Sequence, residues 1–133
     1  MKRLIFSLIF VCGFMHANNC QKDEVQVEIL ILKDSIPMKI DNVTTLIDVT
    51  CENNVLLYTY NLDFNKTDKR VMSNKKVIDM MQNRLSIQNI DFYCNSDFTD
   101  FYRMNNINMK WVYFDENKEE LMSIEASNND CKN

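Results

Sequence analysis

Gly13 is the only glycine in the 133-residue chain, so residues 14–133 contain none. Glycine adopts positive φ at little cost, and asparagine and aspartate are the next most tolerant residues. Tight turns in this chain must therefore use those residues instead. We expect positive φ at the asparagine pairs Asn53-Asn54, Asn105-Asn106 and Asn128-Asn129. The same absence excludes glycine-rich phosphate-binding and dinucleotide-binding loops from residues 14–133.

Histidine is equally scarce, because His16 is the only one and it lies close to Gly13. Without an imidazole, the rest of the chain cannot perform Ser–His–Asp or Cys–His catalysis, nor supply histidine ligands to a catalytic metal. Aspartate and glutamate are plentiful, but no pair is marked out by its sequence context. We therefore predict a protein that is not an enzyme and that holds no cofactor or metal. A carboxylate-dependent hydrolase of envelope material stays as a third hypothesis.

The first seventeen residues have the pattern of a secretory signal peptide. Lys2 and Arg3 form a positive start, residues 4–14 form a short apolar core, and Ala17 is a suitable last residue before cleavage. We expect residues 18–133 to form one small disulfide-bonded domain, periplasmic or secreted. No later segment is long and apolar enough to cross a bilayer, so no membrane insertion is expected once the leader is removed.

The net charge argues against two classes of partner. Removal of Lys2 and Arg3 leaves 13 of the 15 basic side chains against 19 acidic ones, a formal charge of −6. An acidic surface disfavours nucleic acid and anionic lipid. We therefore predict that the partner is another protein; the sequence does not define the oligomeric state.

Four cysteines follow the leader, at Cys20, Cys51, Cys94 and Cys131. An even number in a small exported domain is typical of two disulfides, and the sequence leaves all three connectivities open. We favour Cys94–Cys131, which ties the C-terminal tail to the end of a central helix. Its counterpart, Cys20–Cys51, would hold the N-terminus to the first hairpin. A zinc site is not expected, because there is no CxxC pair and no histidine beside the thiols.

Residues 21–36 fit two structures. Apolar residues at every second position fit a strand: Val25, Val27, Ile29 and Ile31. Apolar residues three or four apart fit one face of a helix: Val25, Ile29, Leu32 and Ile36. The residue before a proline avoids the α region, so Pro37 would end such a helix.

The segment after Pro37 predicts a corner that leads into the first strand. We expect Met38 and Ile40 to dock the corner against the core. We expect Asp41 or Asn42 to hydrogen-bond local backbone N–H groups, as turn residues commonly do. A ligand-binding Asp41 is the competing interpretation.

Two β-hairpins are predicted from alternating apolar residues and strand-forming composition. The paired segments are 44–51 with 55–62, and 109–114 with 120–126. In the first strand we expect Thr45, Ile47, Val49 and Cys51 to share one face.

A helical middle is predicted between the hairpins. Ser73 is a suitable N-cap, and apolar residues recur at helical spacing through residues 77–85, in a helix that extends towards Cys94. A second helical turn, capped by Ser96, would place three aromatic residues on one side: Phe98, Phe101 and Tyr102.

Four aromatic residues of the hairpins are candidates for contact with a partner, because tyrosine and tryptophan are enriched in binding hot spots. We expect them to be exposed: Tyr58, Tyr60, Trp111 and Tyr113. Burial in the core or in a sheet face is the competing interpretation.

Two tripeptides fit the N-glycosylation pattern, one at Asn42 and one at Asn65. The residues Asp63-Phe64-Asn65-Lys66-Thr67 also fit the stricter bacterial pattern, with an acidic residue two positions before the asparagine. Asn65 is therefore a candidate glycosylation site in a predicted polar loop.

Several short motifs together resemble a broad group of small exported bacterial proteins whose functions are largely uncharacterised. The group has a P-x-x-[IV]-D-x-x-T corner, a Tyr-x-Tyr strand and a C-terminal cysteine pair. The matching residues here are Pro37, Ile40, Asp41, Thr44, Tyr58, Tyr60, Cys94 and Cys131. The resemblance implies an α+β fold and favours a helix over residues 21–36, but it implies no reaction.

The sequence therefore predicts an α+β domain with an N-terminal helix, two antiparallel hairpins in one sheet, a central helix packed on that sheet, and two disulfides. The function expected is non-enzymatic binding of another protein, as an inhibitor, an immunity factor or an accessory component of a cell-envelope or secretion machine. The alternative is a periplasmic binder of a small apolar or sugar ligand.

Overall fold

One sheet of five strands organises the protein, in a computed structural model that describes residues 17–64 and 74–132. The strands follow one another across the sheet in chain order. Their bounds are Met38–Lys39 (β1), Thr44–Glu52 (β2), Val55–Leu62 (β3), Asn108–Phe114 (β4) and Glu120–Ala126 (β5). The predicted leader, apart from Ala17, and the candidate Asn65 lie outside the described residues.

Both predicted hairpins are present as the antiparallel pairs β2–β3 and β4–β5. The two hairpins join through β3 and β4, which run parallel. Parallel neighbours need a long crossover connection, and the helical middle of the chain supplies it. The predicted fold class, α+β with a central helix on one sheet, is confirmed.

Among the described residues, three α-helices pack on the sheet: Asp23–Ser35 (α1), Lys75–Asn95 (α2) and Asp100–Met104 (α3). In α1, Val25 and Ile29 are buried, and Leu32 and Ile36 pack against the same core. The helical interpretation of residues 21–36 is therefore correct. The helix ends at Ser35, just before the Ile36–Pro37 peptide bond, which is cis.

A β-bulge changes the predicted facing of the first strand. The pairing of β2 with β3 shifts between Leu46 and Asp48, because the bulge adds one residue to β2. Leu46 and Val49 are consequently both buried, whereas Ile47 is 42% exposed. The expectation that Ile47 shares a face with Val49 is wrong for this reason.

Asparagine takes three of the four positive-φ positions among the described residues, as the lack of glycine predicted. Asn53 and Asn54 have φ of 51° and 59° and form the two-residue turn of the first hairpin, and Asn106 has φ of 51°. Two positive φ values in succession match the turn geometry that suits twisted hairpins. The fourth position is Lys118, at 64°, in the second hairpin. The prediction fails at Asn105, whose φ is −103°, and at Asn128-Asn129, which begins a short 3-10 helix.

Around Pro37 the chain makes the predicted corner and adds the short strand β1, which pairs with β2. Asp41 Oδ1 accepts hydrogen bonds from the backbone N–H groups of Val43 and Thr44, at 2.8 and 2.7 Å. Met38 packs against the core. Ile40 does not dock as expected, because it is 53% exposed.

The helical middle differs from the prediction in two details. Asn74 caps α2 with its side chain, one residue beyond the predicted Ser73, which lies outside the described residues. Ser96 accepts a hydrogen bond from the Phe98 N–H, as a cap should. The expected aromatic group is incomplete, because Phe98 is 87% exposed while Tyr102 is buried.

Both favoured disulfides are present. Cys20–Cys51 joins the segment before α1 to β2, and Cys94–Cys131 joins the end of α2 to the C-terminal tail. Among the helices of residues 17–64 and 74–132, none has the length and hydropathy that crossing a membrane requires.

Candidate functional site: an aromatic cleft between helix and sheet

A cleft of about 490 Å³ opens between α2, the corner before β2, and strands β3 and β4. Its floor includes Tyr60, Trp111 and Tyr113, and Met81 and Leu85 of α2 form an apolar wall. Small-molecule sites usually have volumes of about 300–1,000 Å³ and apolar linings with a few polar groups. The cleft therefore has the size and the character of a binding site.

The parallel register of β3 and β4 builds the aromatic floor. Tyr60 lies opposite Tyr113 and Tyr58 lies opposite Trp111, on the face of the sheet that carries the helices. The Tyr60 and Tyr113 rings stack with centroids 5.0 Å apart, and the Tyr58 and Trp111 rings stack at 6.3 Å. Strand alternation alone puts all four on one face, and stacking then fixes their orientation.

The floor tyrosines stay neutral at physiological pH. Burial raises the pKa of Tyr60, and the neighbouring Tyr113 raises it further. Burial also raises the pKa of Tyr113, although the approach of the Asn89 side chain partly opposes this. The hydroxyls are therefore uncharged hydrogen-bonding groups rather than acids or bases near neutral pH.

One turn of α2 supplies a polar wall. Arg84 and Gln88 lie four residues apart, and Asn89 lies four residues after Leu85, so helical spacing turns this group towards the cleft. Neither Arg84 nor Gln88 makes a hydrogen bond or ion pair with any residue in the described part of the chain. Asn89 Nδ2 is buried, and it too lacks a hydrogen-bond partner among the described residues. Arg84 and Gln88 are exposed, so their donors face water and are accessible to an occupant of the cleft.

Asp41 lies at the rim of the cleft, but hydrogen bonds within its own turn use most of the acceptor positions of its carboxylate. Besides its two backbone bonds, its Oδ2 accepts a hydrogen bond from Thr44 Oγ1 at 3.0 Å. These bonds, led by the one from the Val43 N–H, lower the pKa of the carboxyl. The turn-forming interpretation of Asp41 accounts for these contacts.

Tyr58 hydrogen-bonds to α1 instead of lining the cleft. Its hydroxyl donates to Glu28 Oε1 at 3.2 Å, and the Tyr102 hydroxyl donates to Glu28 Oε2. Burial raises the pKa of Glu28, against the smaller lowering effect of the Tyr58 bond. This Tyr–Glu–Tyr cluster ties α1 to β3 and α3, and Tyr58 is not among the cleft-lining residues.

The predicted contact residues are thus only partly placed as expected. Tyr60, Trp111 and Tyr113 come together in the cleft, whereas Tyr58 contacts Glu28. The expected exposure is wrong for Trp111 and Tyr113, each only 6% exposed, because the helices cover this face of the sheet. Whether these residues contact a partner stays a prediction.

Sequence reasoning missed the polar wall on α2. The signal was present, because polar residues at positions 84, 88 and 89 interrupt the apolar helical spacing of Met81 and Leu85. In isolation, such residues look like an ordinary solvent-facing side of a helix.

The cleft offers little for catalysis. Asp41 is the only carboxylate among its described lining residues, and acid–base pairs need two groups in range. No group of three or more potential metal ligands occurs within residues 17–64 and 74–132. Binding is therefore the chemistry that these side chains best support.

Known proteins resemble this chain in structure but not in sequence. No protein-family model matches the chain, and no curated protein matches it significantly. One similar structure is a Pseudomonas aeruginosa protein described as secreted, with a TM-score of 0.62 and 10% identity over 80% of this chain and 88% of that one. Another is EpsS, a pilotin from the type 2 secretion system of Vibrio vulnificus, with a TM-score of 0.59 and 7% identity over 80% of this chain and 87% of that one. The chain therefore shares its fold with these two proteins.

Proposed function

We propose that this is an exported, non-enzymatic protein that binds another protein through the aromatic cleft. The observation that carries the proposal is the cleft itself, with an aromatic floor and unused donors on one wall. Buried aromatic residues with a few polar groups at the rim are typical of sites where a partner inserts an anchoring side chain.

The cellular role we propose is an accessory component of a cell-envelope or secretion machine. Support comes from the fold, which also occurs in a type 2 secretion pilotin and in a protein described as secreted. Neither is described as an enzyme. A fold alone does not specify a function, so the cleft and the fold have to be considered together.

Export to the periplasm or beyond is part of the proposal. Two disulfides favour an oxidising compartment. The signal-peptide pattern of residues 1–17 and the resemblance to small exported bacterial proteins point the same way.

A second candidate function is binding of a small apolar or sugar ligand. The cleft volume of about 490 Å³ favours it, because it falls within the usual range for such sites. The two candidates differ in what is recovered with the native protein, a polypeptide or a small molecule.

Co-purification with a matched pair of cleft variants tests the proposal. The full chain is isolated under non-reducing conditions from its own host, together with Gln88→Trp, which fills the cleft, and Asn83→Trp, which places the same side chain at an exposed α2 position outside the lining. We expect one protein to accompany the wild type and Asn83→Trp but not Gln88→Trp. Recovery of a stoichiometric small molecule without any protein would support the second candidate and refute the first.

A further inference from the structure

We infer that the partner segment in the cleft carries a carboxylate directly beside apolar side chains. This inference rests on the proposed function and specifies the chemistry of the same site. The carboxylate pairs with Arg84 and lies within reach of the Asn89 amide, while the apolar side chains rest on Tyr60 and Trp111.

The α2 wall of the cleft presents donors that no described residue uses. The Arg84 guanidinium has five N–H donors in a planar fork that matches a carboxylate. It makes no hydrogen bond or ion pair with any described residue. Asn89 Nδ2 is a further donor on the same wall; it is buried and approaches the Tyr113 side chain, but it makes no hydrogen bond of normal geometry with a described residue. An occupant that supplies acceptors meets these groups, whereas a cationic occupant leaves them unpaired.

Asp41, the one acidic lining residue described, does not reverse this preference. A carboxylate has about four acceptor positions, and three of those on Asp41 are taken by hydrogen bonds from Val43 and Thr44. A cationic partner would find only a largely satisfied carboxylate there.

Because the protein as a whole is acidic, recognition of a carboxylate in the cleft depends on the basic side chain that lines it. The chain has a formal charge of −4, which disfavours acidic partners at long range. Arg84 is the only basic side chain among the described lining residues. Selection for a carboxylate therefore depends on one guanidinium, and removing its charge should remove the selectivity.

A charge series of small probes tests this preference. Phenylbutyrate, phenylbutanamide and phenylbutylamine share one apolar group and differ in the charge of the head. Trp111, the only tryptophan in the chain, reports occupancy of the cleft by fluorescence. We expect phenylbutyrate to bind about fivefold more tightly than the other two probes, as one partly exposed charge pair allows.

Matched variants locate the effect. Arg84→Gln should make the three probes equal, whereas Lys76→Gln, which removes the same charge from an exposed α2 residue outside the cleft, should leave the preference intact. Equal binding of the three probes to the wild type, or tighter binding of the amine, would overturn the inference.

The failure of this inference can be told from the failure of the proposed function. If a partner protein is captured and lost in Gln88→Trp but retained in Arg84→Glu, the inference is wrong and the proposed function stands. If the carboxylate preference is observed but no partner protein is recovered, the occupant is a free small carboxylate, and the assignment to a protein segment is overturned.

Discussion

Replacing Asn54 should separate the two contributions of this asparagine to stability. Asn54 occupies a positive-φ position of the first hairpin turn and also holds the N-terminal segment. Its Oδ1 accepts a hydrogen bond from the Asn19 N–H at 2.6 Å. Its Nδ2 donates to the Ala17 carbonyl at 3.1 Å, a bond that cleavage of the predicted leader after Ala17 removes. Asn53 has the same sign of φ but makes no side-chain hydrogen bond with a described residue. The two neighbours therefore form a natural comparison.

The magnitudes follow from these contacts. Each lost hydrogen bond costs about 0.5–1.5 kcal/mol, and an alanine held at positive φ costs about 1 kcal/mol. For the protein without its leader, Asn54→Ala loses the bond to Asn19 and holds alanine at positive φ, so it should lower the free energy of unfolding by about 1.5–2.5 kcal/mol. Asn54→Gly keeps the turn but loses that bond, so it should cost about 0.5–1.5 kcal/mol. Asn53→Gly should stay within about 0.5 kcal/mol of the wild type.

Urea denaturation of the oxidised protein measures all three variants. The order predicted, from most to least destabilised, is Asn54→Ala, Asn54→Gly, Asn53→Gly. Our explanation is refuted if Asn54→Gly is as stable as the wild type, because the side-chain bond to Asn19 would then contribute nothing. It is equally refuted if Asn53→Gly loses more than about 1 kcal/mol.

Three further predictions concern the groups that hold the domain together. Because the pKa of Glu28 is raised above its ordinary 4.5, the folded state binds the proton more tightly than the unfolded state, and wild-type stability falls as the pH rises through the folded pKa. Glu28→Gln should remove this fall and be more stable than the wild type at neutral pH. Urea denaturation at a series of pH values measures this, and the prediction is wrong if the free energy of unfolding of the variant depends on pH as steeply as that of the wild type. Replacing either disulfide by serines should cost about 3.5–4 kcal/mol, since the closed loops span 31 and 37 residues, and a difference above 2 kcal/mol between them by urea denaturation would argue against this entropic account. Arg103→Ala should cost about 2 kcal/mol, because the guanidinium donates to the Tyr93 and Ser96 carbonyls at the end of α2, whereas Arg84→Ala should change the thermal midpoint little.

The sequence predicted correctly the strands and turns that patterns among neighbouring residues specify. Alternation predicted the strand over residues 120–126, and in the structure Met122, Ile124 and Ala126 of β5 are each at most 4% exposed. Asparagine pairs predicted the first hairpin turn because few other residues tolerate its backbone angles.

The same local reasoning failed where one extra residue in a strand reverses which of the following side chains face the core. The bulge at Ile47 is invisible in an alternating pattern, since it arises from pairing with β3 rather than from β2 alone. Lys118 likewise takes a positive φ that composition assigns to asparagine or aspartate.

The cleft lay beyond sequence reasoning for a different reason. Its lining comes from four separated parts of the chain, and the sequence does not say which turn of α2 faces Tyr60 and Tyr113. The four aromatic residues were selected as contact candidates from their type and their place in the hairpins, but their burial depends on how the helices pack over the sheet.

Site-specific photo-crosslinking in the native host tests the central claim most directly. A photoreactive amino acid at position 88 lies in the cleft, and the same group at position 83 lies on the exposed part of α2 outside it. We predict a discrete protein adduct from position 88 and none from position 83. Absence of an adduct at position 88, or equal adducts at both positions, would contradict a partner protein bound in the aromatic cleft.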